Sequence, residues 1–520
     1  MSQADRRYFL TTPIYYVNGE PHLGHAYTNV ATDAMARFKR LDGYDVKFLT
    51  GTDEHGQKVE AAARAEGIKP QELADRLAAR FRAIATLLNC SYDDFIRTTE
   101  PRHKQAVQAL WRRLEEAGQI YLGSYAGWYA VRDEAFYTED ELSEGPNGAK
   151  IAPSGAPCEW VEEPSYFFRL SDWGERLIKH YEQNPDAILP AQRRNEVLGF
   201  LRQGLRDLSI SRTTFDWGIP VPGAEDHVIY VWIDALTNYI AALGYPETGE
   251  GTDFALYWPA DLHMIGKDIL RFHAVYWPAM LMAAGLEPPK RVFAQGWWTV
   301  EGKKMSKSEG NVIDPHYLAD TYGVDQTRYF LLREVPFGSD GDFAHAAAVH
   351  RINGDLANDL GNLVQRVLSM VHKNCDAALP EPDALNDRDN ALLDACVRAL
   401  TQARHAMEVQ ALHKALEAIW AVIGDANRYV DEQAPWALKK SDPPRMRTVL
   451  YVLSEVIRRI AIMVQPFMPS AGATILDHLK VGEQARDFSC ISDDDRLPPG
   501  TAISAPRPVF PRYVEPDAAQ

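Results

Sequence analysis

The sequence predicts an α/β protein in three parts: a parallel-sheet domain, a mixed α/β segment inserted into it, and an all-α helix bundle behind both. Three observations carry this reading. Near the start, a strand-like apolar run alternates with a helical apolar stripe. From Ile120 to about 222 that texture gives way to short Tyr- and Trp-rich runs among Gly, Pro and Ser. After about 340 only helical spacing remains. A chain of 520 residues has room for two to four domains with substantial cores.

Taken in order, Tyr8–Thr12 reads as a strand. In the following helix Tyr27, Val30, Ala31, Ala34, Phe38 and Leu41 form one stripe. Gly43 stops that helix and Val46–Leu49 is the next strand. A βαβ start favours a parallel sheet, with ligands at the carboxyl ends of its strands. Both His22-Leu23-Gly24-His25 and Thr52-Asp53-Glu54-His55-Gly56 fall at such ends. Helical patterns fill about 70 to 118. The inserted segment holds Trp128-Tyr129-Ala130-Val131 among turn sequences such as Pro146-Asn147-Gly148 and Pro153-Ser154-Gly155. The α/β texture resumes at Val228-Ile229-Tyr230-Val231-Trp232 and continues through Leu262-His263-Met264-Ile265-Gly266-Lys267-Asp268. Spacings of three and four link Ile352, Leu356, Leu360, Leu363, Val364, Val367 and Val371, and similar stripes recur to about Pro466, which predicts a bundle. The boundaries this gives are 1–119 and 223–290 for the two halves of the sheet domain and 120–222 for the insertion. A region at 291–340, the bundle at 341–482 and a Pro-rich tail at 483–520, expected to lie along the surface, follow.

Composition narrows the class. Hydrophobic residues make up 46% and charged residues 24%, as in an ordinary soluble protein. No apolar stretch approaches the roughly 20 residues a membrane span needs, and Met1–Arg7 offers no secretory or transit segment. Cys90, Cys158, Cys375, Cys396 and Cys490 are scattered without a C-x-x-C pair, which fits reduced thiols in a cytoplasm. A net charge of −17 argues mildly against a nucleic-acid partner. Two local runs argue the other way: Arg193, Arg194, Arg202, Arg206 and Arg212, then Lys439, Lys440, Arg445 and Arg447. Each reads equally as a solvated face or as a basic footprint for RNA.

The chemistry lies in two short motifs. His22-Leu23-Gly24-His25 opens a helix, and Lys304-Met305-Ser306-Lys307-Ser308 sits in a loop between Glu301-Gly302 and Glu309-Gly310. Either alone occurs by chance; together, in this order, they suit a pentavalent phosphate transition state. The helix end is expected to supply oriented N–H groups and partial positive charge. The lysines supply charge that a loop can bring to bound substrate. The bland alternative is a satisfied histidine pair and a solvated lysine loop.

With both motifs in place, the chain resembles the class I aminoacyl-tRNA synthetases, and within them is most similar to the methionine-specific group, from Phe9 to Pro508-Val509-Phe510-Pro511-Arg512. The resemblance implies a Rossmann-like catalytic domain and a helical anticodon-binding domain. It implies ATP with Mg²⁺, activation of L-methionine to methionyl-adenylate, and transfer to the 3′ end of tRNA(Met), initiator tRNA included. His22, His25, Lys304 and Lys307 then become the catalytic residues. ATP would also contact Gly24 and the turn Gly266-Lys267-Asp268, where Gly266 allows close approach and Asp268 meets a ribose hydroxyl or Mg²⁺. Asp53 would receive the methionine ammonium, the alternative being a helix cap. The side-chain pocket would comprise Ile14, Tyr16, Trp232, Ala235, Leu236, Tyr239, Ile269, His273 and Trp277, an aromatic lining that suits a thioether. Leu236 departs from the family, which has proline there.

Many relatives bind zinc through paired cysteines in the insertion; here only Cys158 lies there, so no structural zinc is expected. In the bundle, Asn362 and Arg366 stand at i and i+4, off the apolar stripe, and Pro435-Trp436 follows a helix. They match the family's anticodon readers, two polar groups for base edges and an indole for stacking. The alternative is a tryptophan packed in the bundle. The chain ends soon after Arg512, without room for a C-terminal dimerising module, so a monomer is expected. Two rivals stay open. Another class I synthetase for an apolar amino acid would need a larger editing insertion, since one methylene gives only about 1–3 kcal/mol of discrimination. A catalytically silent RNA-binding paralogue would need eroded phosphate contacts.

Overall fold

The computed structural model describes residues 6–133, 135–137, 139–305 and 310–515. At its centre is a parallel sheet of six strands in the order Asp94–Arg97, Asp45–Asp53, Arg7–Tyr16, Leu262–Gly266, Val292–Gln295, Ile188–Leu189. Chain order reverses at Arg7–Tyr16, whose neighbours are Asp45–Asp53 on one side and Leu262–Gly266 on the other. The crevice beyond the carboxyl ends of these strands is where such sheets bind ligands. The first strand is longer than its apolar run suggests. Pro13 has no N–H to give the ladder, so pairing shifts between Thr11 and Ile14 and resumes as Ile14 with Gly51 and Tyr16 with Asp53. Beyond the shift, Ile14 and Tyr16 are alternate residues on one face of the strand, both half-buried. Gly51 is required there, because a Cβ would stand 2.1 Å from the Ile96 carbonyl oxygen.

The helix Leu23–Leu41 packs its buried stripe, including Ala26, Tyr27, Val30, Ala31, Ala34 and Phe38, on this sheet. Gly43, at φ 82°, makes the turn into the next strand. Three expectations need correction. The region 70–118 is two helices, Pro70–Leu87 and Pro101–Glu116, with the edge strand Asp94–Arg97 between them; four residues are too few to show a period. The apolar run at Val228–Trp232 is not a strand of the main sheet. It is the end of an antiparallel strand, Ala224–Ile229, and the start of a short helix, Val231–Leu236. The segment 120–222 is not uniform either. Its long antiparallel pair, Ile120–Ala130 with Pro157–Phe168, forms a separate sheet, whereas Ile188–Leu189 joins the main one beside Val292–Gln295.

Behind the sheet, helices from His345 to His478 form the bundle, its core continuous with one face of the sheet. The helix Pro443–Val464 is buried all round from Thr448 onward, as a central helix must be. Buried Glu455 accepts from Arg458 (2.6 and 2.9 Å) and Arg459 (2.8 Å), and the same arginines donate to the carbonyls of Cys490 and Ser492. These bonds draw in the tail. Phe488, Cys490, Ile491, Leu497, Ile503 and Phe510 are buried in the core, so the tail is part of the bundle and not a surface strap.

Arg328, on the helix Val324–Arg333, is fully buried where sheet domain and bundle meet. It donates to Asp33 of the helix Leu23–Leu41 at 2.7 Å, to the Leu88 carbonyl at 2.9 Å, and to the Phe467 and Pro466 carbonyls at 2.9 and 3.0 Å. Asp33 is completed by Ser91 and Arg37. Arg328 and Arg37 hold its carboxyl below the usual range although burial opposes ionisation.

Candidate active site

His22 is the N-cap of the helix Leu23–Leu41, with extended backbone at φ −141°. Its Nδ1 accepts the Gly24 N–H at 3.1 Å, and its own N–H is accepted by His25 Nδ1 at 3.1 Å. This is a capping box built from two imidazoles. Because a backbone N–H can only donate, each Nδ1 must be unprotonated, and each ring carries its proton on Nε2. The rings lie 3.9 Å apart, and His25 also meets Tyr15 and Phe81 edge-on at 5.0 Å. Burial, then the neighbouring His22, push the His25 pKa well below its ordinary value. Both histidines are therefore neutral Nε2–H donors and not cations. One expectation changes: the N–H groups of the helix's first turn are already engaged. Leu23 N–H donates to the Ile313 carbonyl at 3.0 Å and Gly24 N–H to His22. The helix end contributes its field and the histidine donors it orients. Gly24 makes room for them, since a Cβ would lie 3.0 Å from His22 Cε1.

The Leu23–Ile313 bond ties this helix to the exit of the second motif. On the entry side, Lys303–Lys304 pairs antiparallel with Trp298–Val300, placing Lys304 opposite Thr299. Met305 is half-buried against the core. Lys307 lies outside the described residues.

Gly266-Lys267-Asp268 sits at the carboxyl end of Leu262–Gly266. Lys267 Nζ is held by both Asp340 carboxylate oxygens at 2.7 Å and lies 4.2 Å from the centre of the Trp297 ring. Trp297 Nε1 donates to Asp268 Oδ1 at 3.1 Å. A Cβ on Gly266 would come 2.6 Å from that same Asp268 oxygen, so glycine sets the aspartate's position. Trp297 and Asp340 went unnoticed in the sequence because nothing there reveals their proximity to Lys267.

Most of the residues expected to line an amino-acid pocket lie in or against one apolar cluster. Ala235, Leu236, Tyr239, His273 and Trp277 are buried, and Asp53 is 6% exposed. Ile14, Tyr16, Trp232 and Ile269 are half-buried against the same apolar cluster as Leu236, Tyr239 and Trp277. His273 Nδ1 meets the Ile269 carbonyl at 3.0 Å and must donate there, so its Nε2 accepts the Tyr239 hydroxyl at 2.7 Å. Burial lowers the His273 pKa to about 4, which keeps the ring neutral. The five residues Phe272–Tyr276 form a π-helical turn, whose extra residue sets His273 facing Tyr239. Two direct neighbours of these residues were missed. Phe272 stacks on Trp232 at 3.5 Å, and His263 stacks beneath Tyr239 at 4.0 Å while bonding Thr11 at 2.9 Å.

On the same short helix as Trp232 and Ala235, Asp234 Oδ2 meets His55 Nδ1 and its Oδ1 meets His103 Nε2, both at 2.7 Å and all three buried. Burial opposes ionisation of Asp234, yet the two histidines hold its pKa at about 2.

In the bundle, Asn362 is exposed and Arg366 bonds Asp431 at 2.9 Å and Asn427 at 3.3 Å. Ala434, at φ 44°, ends the helix Leu412–Gln433, and buried Pro435 starts the next. Trp436 is 52% exposed, so it is not packed in the bundle. Lys439 and Lys440, three and four residues on, share its face and are exposed. The basic runs are otherwise largely committed within the protein. Arg193 pairs with Glu196 and Arg202 with Glu182; Arg212 is buried under Tyr230; Arg445 grips Asp389.

In the insertion, Cys158 is half-buried with its thiol pKa raised by burial. Asp133 binds the Tyr137 hydroxyl at 3.0 Å and the Ser154 hydroxyl. Among the described residues no group of three or more His, Cys, Asp or Glu is arranged to hold a metal, and no helix is long and apolar enough to cross a membrane.

Comparison with known proteins agrees across the chain. The family described as tRNA synthetases class I (M) matches residues 8–368, and that described as the anticodon binding domain of methionyl tRNA ligase matches residues 379–520. A methionine–tRNA ligase of Brucella suis biovar 1 is 59% identical over 511 residues, covering 98% of this chain and 99% of that protein. One of Mycobacterium tuberculosis (strain ATCC 25618 / H37Rv) is 54% identical over 513 residues, 98% of each. Among solved structures, Mycobacterium tuberculosis methionyl-tRNA synthetase in complex with methionyl-adenylate is similar at a TM-score of 0.95 and 54% identity, covering 98% of this chain and all of that one. The apo form of that enzyme gives 0.89 at 51% identity, covering 98% and 99%.

Proposed function

Since the chain belongs to the methionyl-tRNA synthetases, a class I family, we infer that it activates L-methionine with ATP and transfers the methionyl group to tRNA(Met). The methionine carboxylate attacks the α-phosphorus of ATP and pyrophosphate leaves. A hydroxyl of the tRNA's terminal adenosine then attacks the adenylate carbonyl and AMP leaves. The observation that supports this best is the crevice at the point where strand order reverses. Three adjacent strands carry at or just beyond their carboxyl ends the imidazole pair His22 and His25, the carboxylate Asp53 and the turn Gly266-Lys267-Asp268, which supports a shared site.

The work divides by charge. Neutral Nε2–H groups of His22 and His25 bond phosphate oxygens without adding positive charge, and Gly24 lets the nucleotide approach the backbone between them. Positive charge for the leaving pyrophosphate comes from Lys304 and Lys307, with Mg²⁺ arriving as part of the ATP substrate. Asp268, steadied by Trp297, takes a ribose hydroxyl. Asp53 takes the substrate ammonium, and Tyr239, His273, Trp232 and Trp277, with Ile14, Tyr16, Ala235, Leu236 and Ile269, enclose the thioether. Trp436 offers a stacking platform to an anticodon base, with Asn362 and Arg366 at base edges, which requires Arg366 to exchange Asp431 for RNA. Initiator and elongator tRNA(Met) share that anticodon. We take the protein to act as a cytoplasmic monomer, free of structural zinc.

ATP–pyrophosphate exchange measured with each of the twenty amino acids tests the reading. Exchange with methionine alone is the expected result. No exchange, or a preference for valine, isoleucine or leucine, would overturn it.

A further inference from the structure

We propose that His55, Asp234 and His103 form a positioning device for the methionine site, one carboxylate holding its two arms in register. The inference rests on the reading of that site given above. The first arm is the end of the strand Asp45–Asp53, which carries Asp53 and, two residues later, His55. The second is the helix Val231–Leu236, which carries Trp232, Ala235 and Leu236 and, between them, Asp234. The Asp234 carboxylate bonds His55 at 2.7 Å with one oxygen and His103, on the helix Pro101–Glu116, at 2.7 Å with the other.

The first arm is firmly set by its own bonds. Glu54 is buried and takes Arg97 at 2.6 and 2.9 Å, with Thr52 and Thr99 beside it. The Gly56 N–H reaches the Trp217 carbonyl at 3.0 Å, and the Trp217 indole returns a bond to Glu54 O at 2.5 Å. The second arm has fewer bonds of its own: Asn238 donates to the Ala235 carbonyl at 2.7 Å, and Trp232 stacks on Phe272 at 3.5 Å. Its helix is six residues long, lacks a side-chain cap, and is far too short to hold itself. Its orientation must come from tertiary contacts, and Asp234 is its one buried ionisable group. A carboxylate with no exposure is tolerable only while both oxygens are matched, so the helix settles where Asp234 meets both histidines.

The outer nitrogens of the two histidines, His55 Nε2 and His103 Nδ1, are buried and have no hydrogen-bond partner among the described residues, so Asp234 is the polar partner that both side chains share. The role assigned to the cluster is to hold position.

His103 is the informative probe, because it stands on neither arm and its side chain bonds Asp234 directly. In methionine-dependent pyrophosphate exchange, His103→Leu is expected to raise the methionine KM about tenfold, as sub-ångström misplacement does, with the ATP KM within about twofold. His103→Gln, which can still donate an N–H to Asp234, should bring the methionine KM back to within about threefold of wild type. A lowered melting temperature in His103→Leu with an unchanged methionine KM would overturn the proposal, as would a Gln variant no better than Leu. Should the Leu variant fail to fold, the nearly isosteric Asp234→Asn reads the same split between the two KM values, and equal rises in both overturn it. Lack of methionine-dependent exchange in the wild-type protein would instead refute the function itself, so the two failures are distinct.

Discussion

Substituting Gly24 by Ala separates the stability of the histidine cap from its chemistry. Gly24 is the second residue of the helix Leu23–Leu41, where alanine is the better helix former by about 0.5–1 kcal/mol. The new Cβ would lie 3.0 Å from His22 Cε1 and 3.2 Å from Nδ1, so the ring must retreat by about 0.4 Å to reach an ordinary contact of roughly 3.4 Å. That retreat lengthens the 3.1 Å bond from Gly24 N–H, and losing an N-cap bond costs about 1 kcal/mol. Gain and loss nearly cancel, so the melting temperature should stay within a few degrees. Catalysis has no such compensation. The His22 donor moves against a site that also loses its close backbone approach, and a 1 Å error at such a site costs about 10²-fold. Pyrophosphate exchange at saturating methionine should therefore fall roughly 10- to 100-fold in kcat/KM for ATP, with the methionine KM little changed. Exchange within twofold of wild type would refute the role of His22. A large drop in melting temperature alongside the rate would show that the cap matters for folding and not for phosphate.

Three further outcomes follow from the structure. Trp436→Ala removes an exposed ring, so aminoacylation should fall tenfold or so while exchange stays within about twofold, and Asn362→Ala should act likewise but more mildly; a parallel loss of melting temperature would mark the indole as structural. His273 titrates at about 4 in the fold against 6.5 unfolded, so the unfolded chain takes its proton first as pH falls. Its contribution to stability, on the order of 3 kcal/mol, is complete above about pH 6.5 and lost as pH drops toward 4, and His273→Gln should flatten that part of a melting-temperature profile. Elemental analysis of the purified protein should find far less than one zinc per chain, and a chelator should leave the melting temperature unchanged; stoichiometric zinc would contradict the reading of Asp133, Tyr137 and Ser154 as the insertion's own fastening.

What was legible in the sequence was whatever is local. His22-Leu23-Gly24-His25 announces a helix start within four residues, and the bundle's stripes repeat often enough to be counted. The lining of the pocket was found through family resemblance; spacing alone does not distinguish Tyr239 or Trp277 from ordinary core. Residues whose roles depend on distant partners stayed hidden. His55 is plain within Thr52–Gly56, but its partner Asp234 lies 179 positions away. His263 is a single polar residue in an apolar strand, and Trp297 reveals nothing until Asp268 is seen beneath its indole N–H. Proline content misled at the tail, where single apolar residues such as Phe488 and Phe510 fill the bundle one at a time. Four-residue Asp94–Arg97 is simply shorter than any period that would betray it.

Arg328 makes the molecule a fixed gauge. Its guanidinium touches the helix that begins at His22 and the two carbonyls, Pro466 and Phe467, that close the central helix of the bundle. Swinging the bundle away would break the bonds from Arg328 to Pro466 and Phe467 together, so the two parts move as one. Trp436 and the histidine pair are thus kept at a constant separation, like the jaws of a calliper locked by one screw. A nucleic acid spanning both must match that length or bend to it.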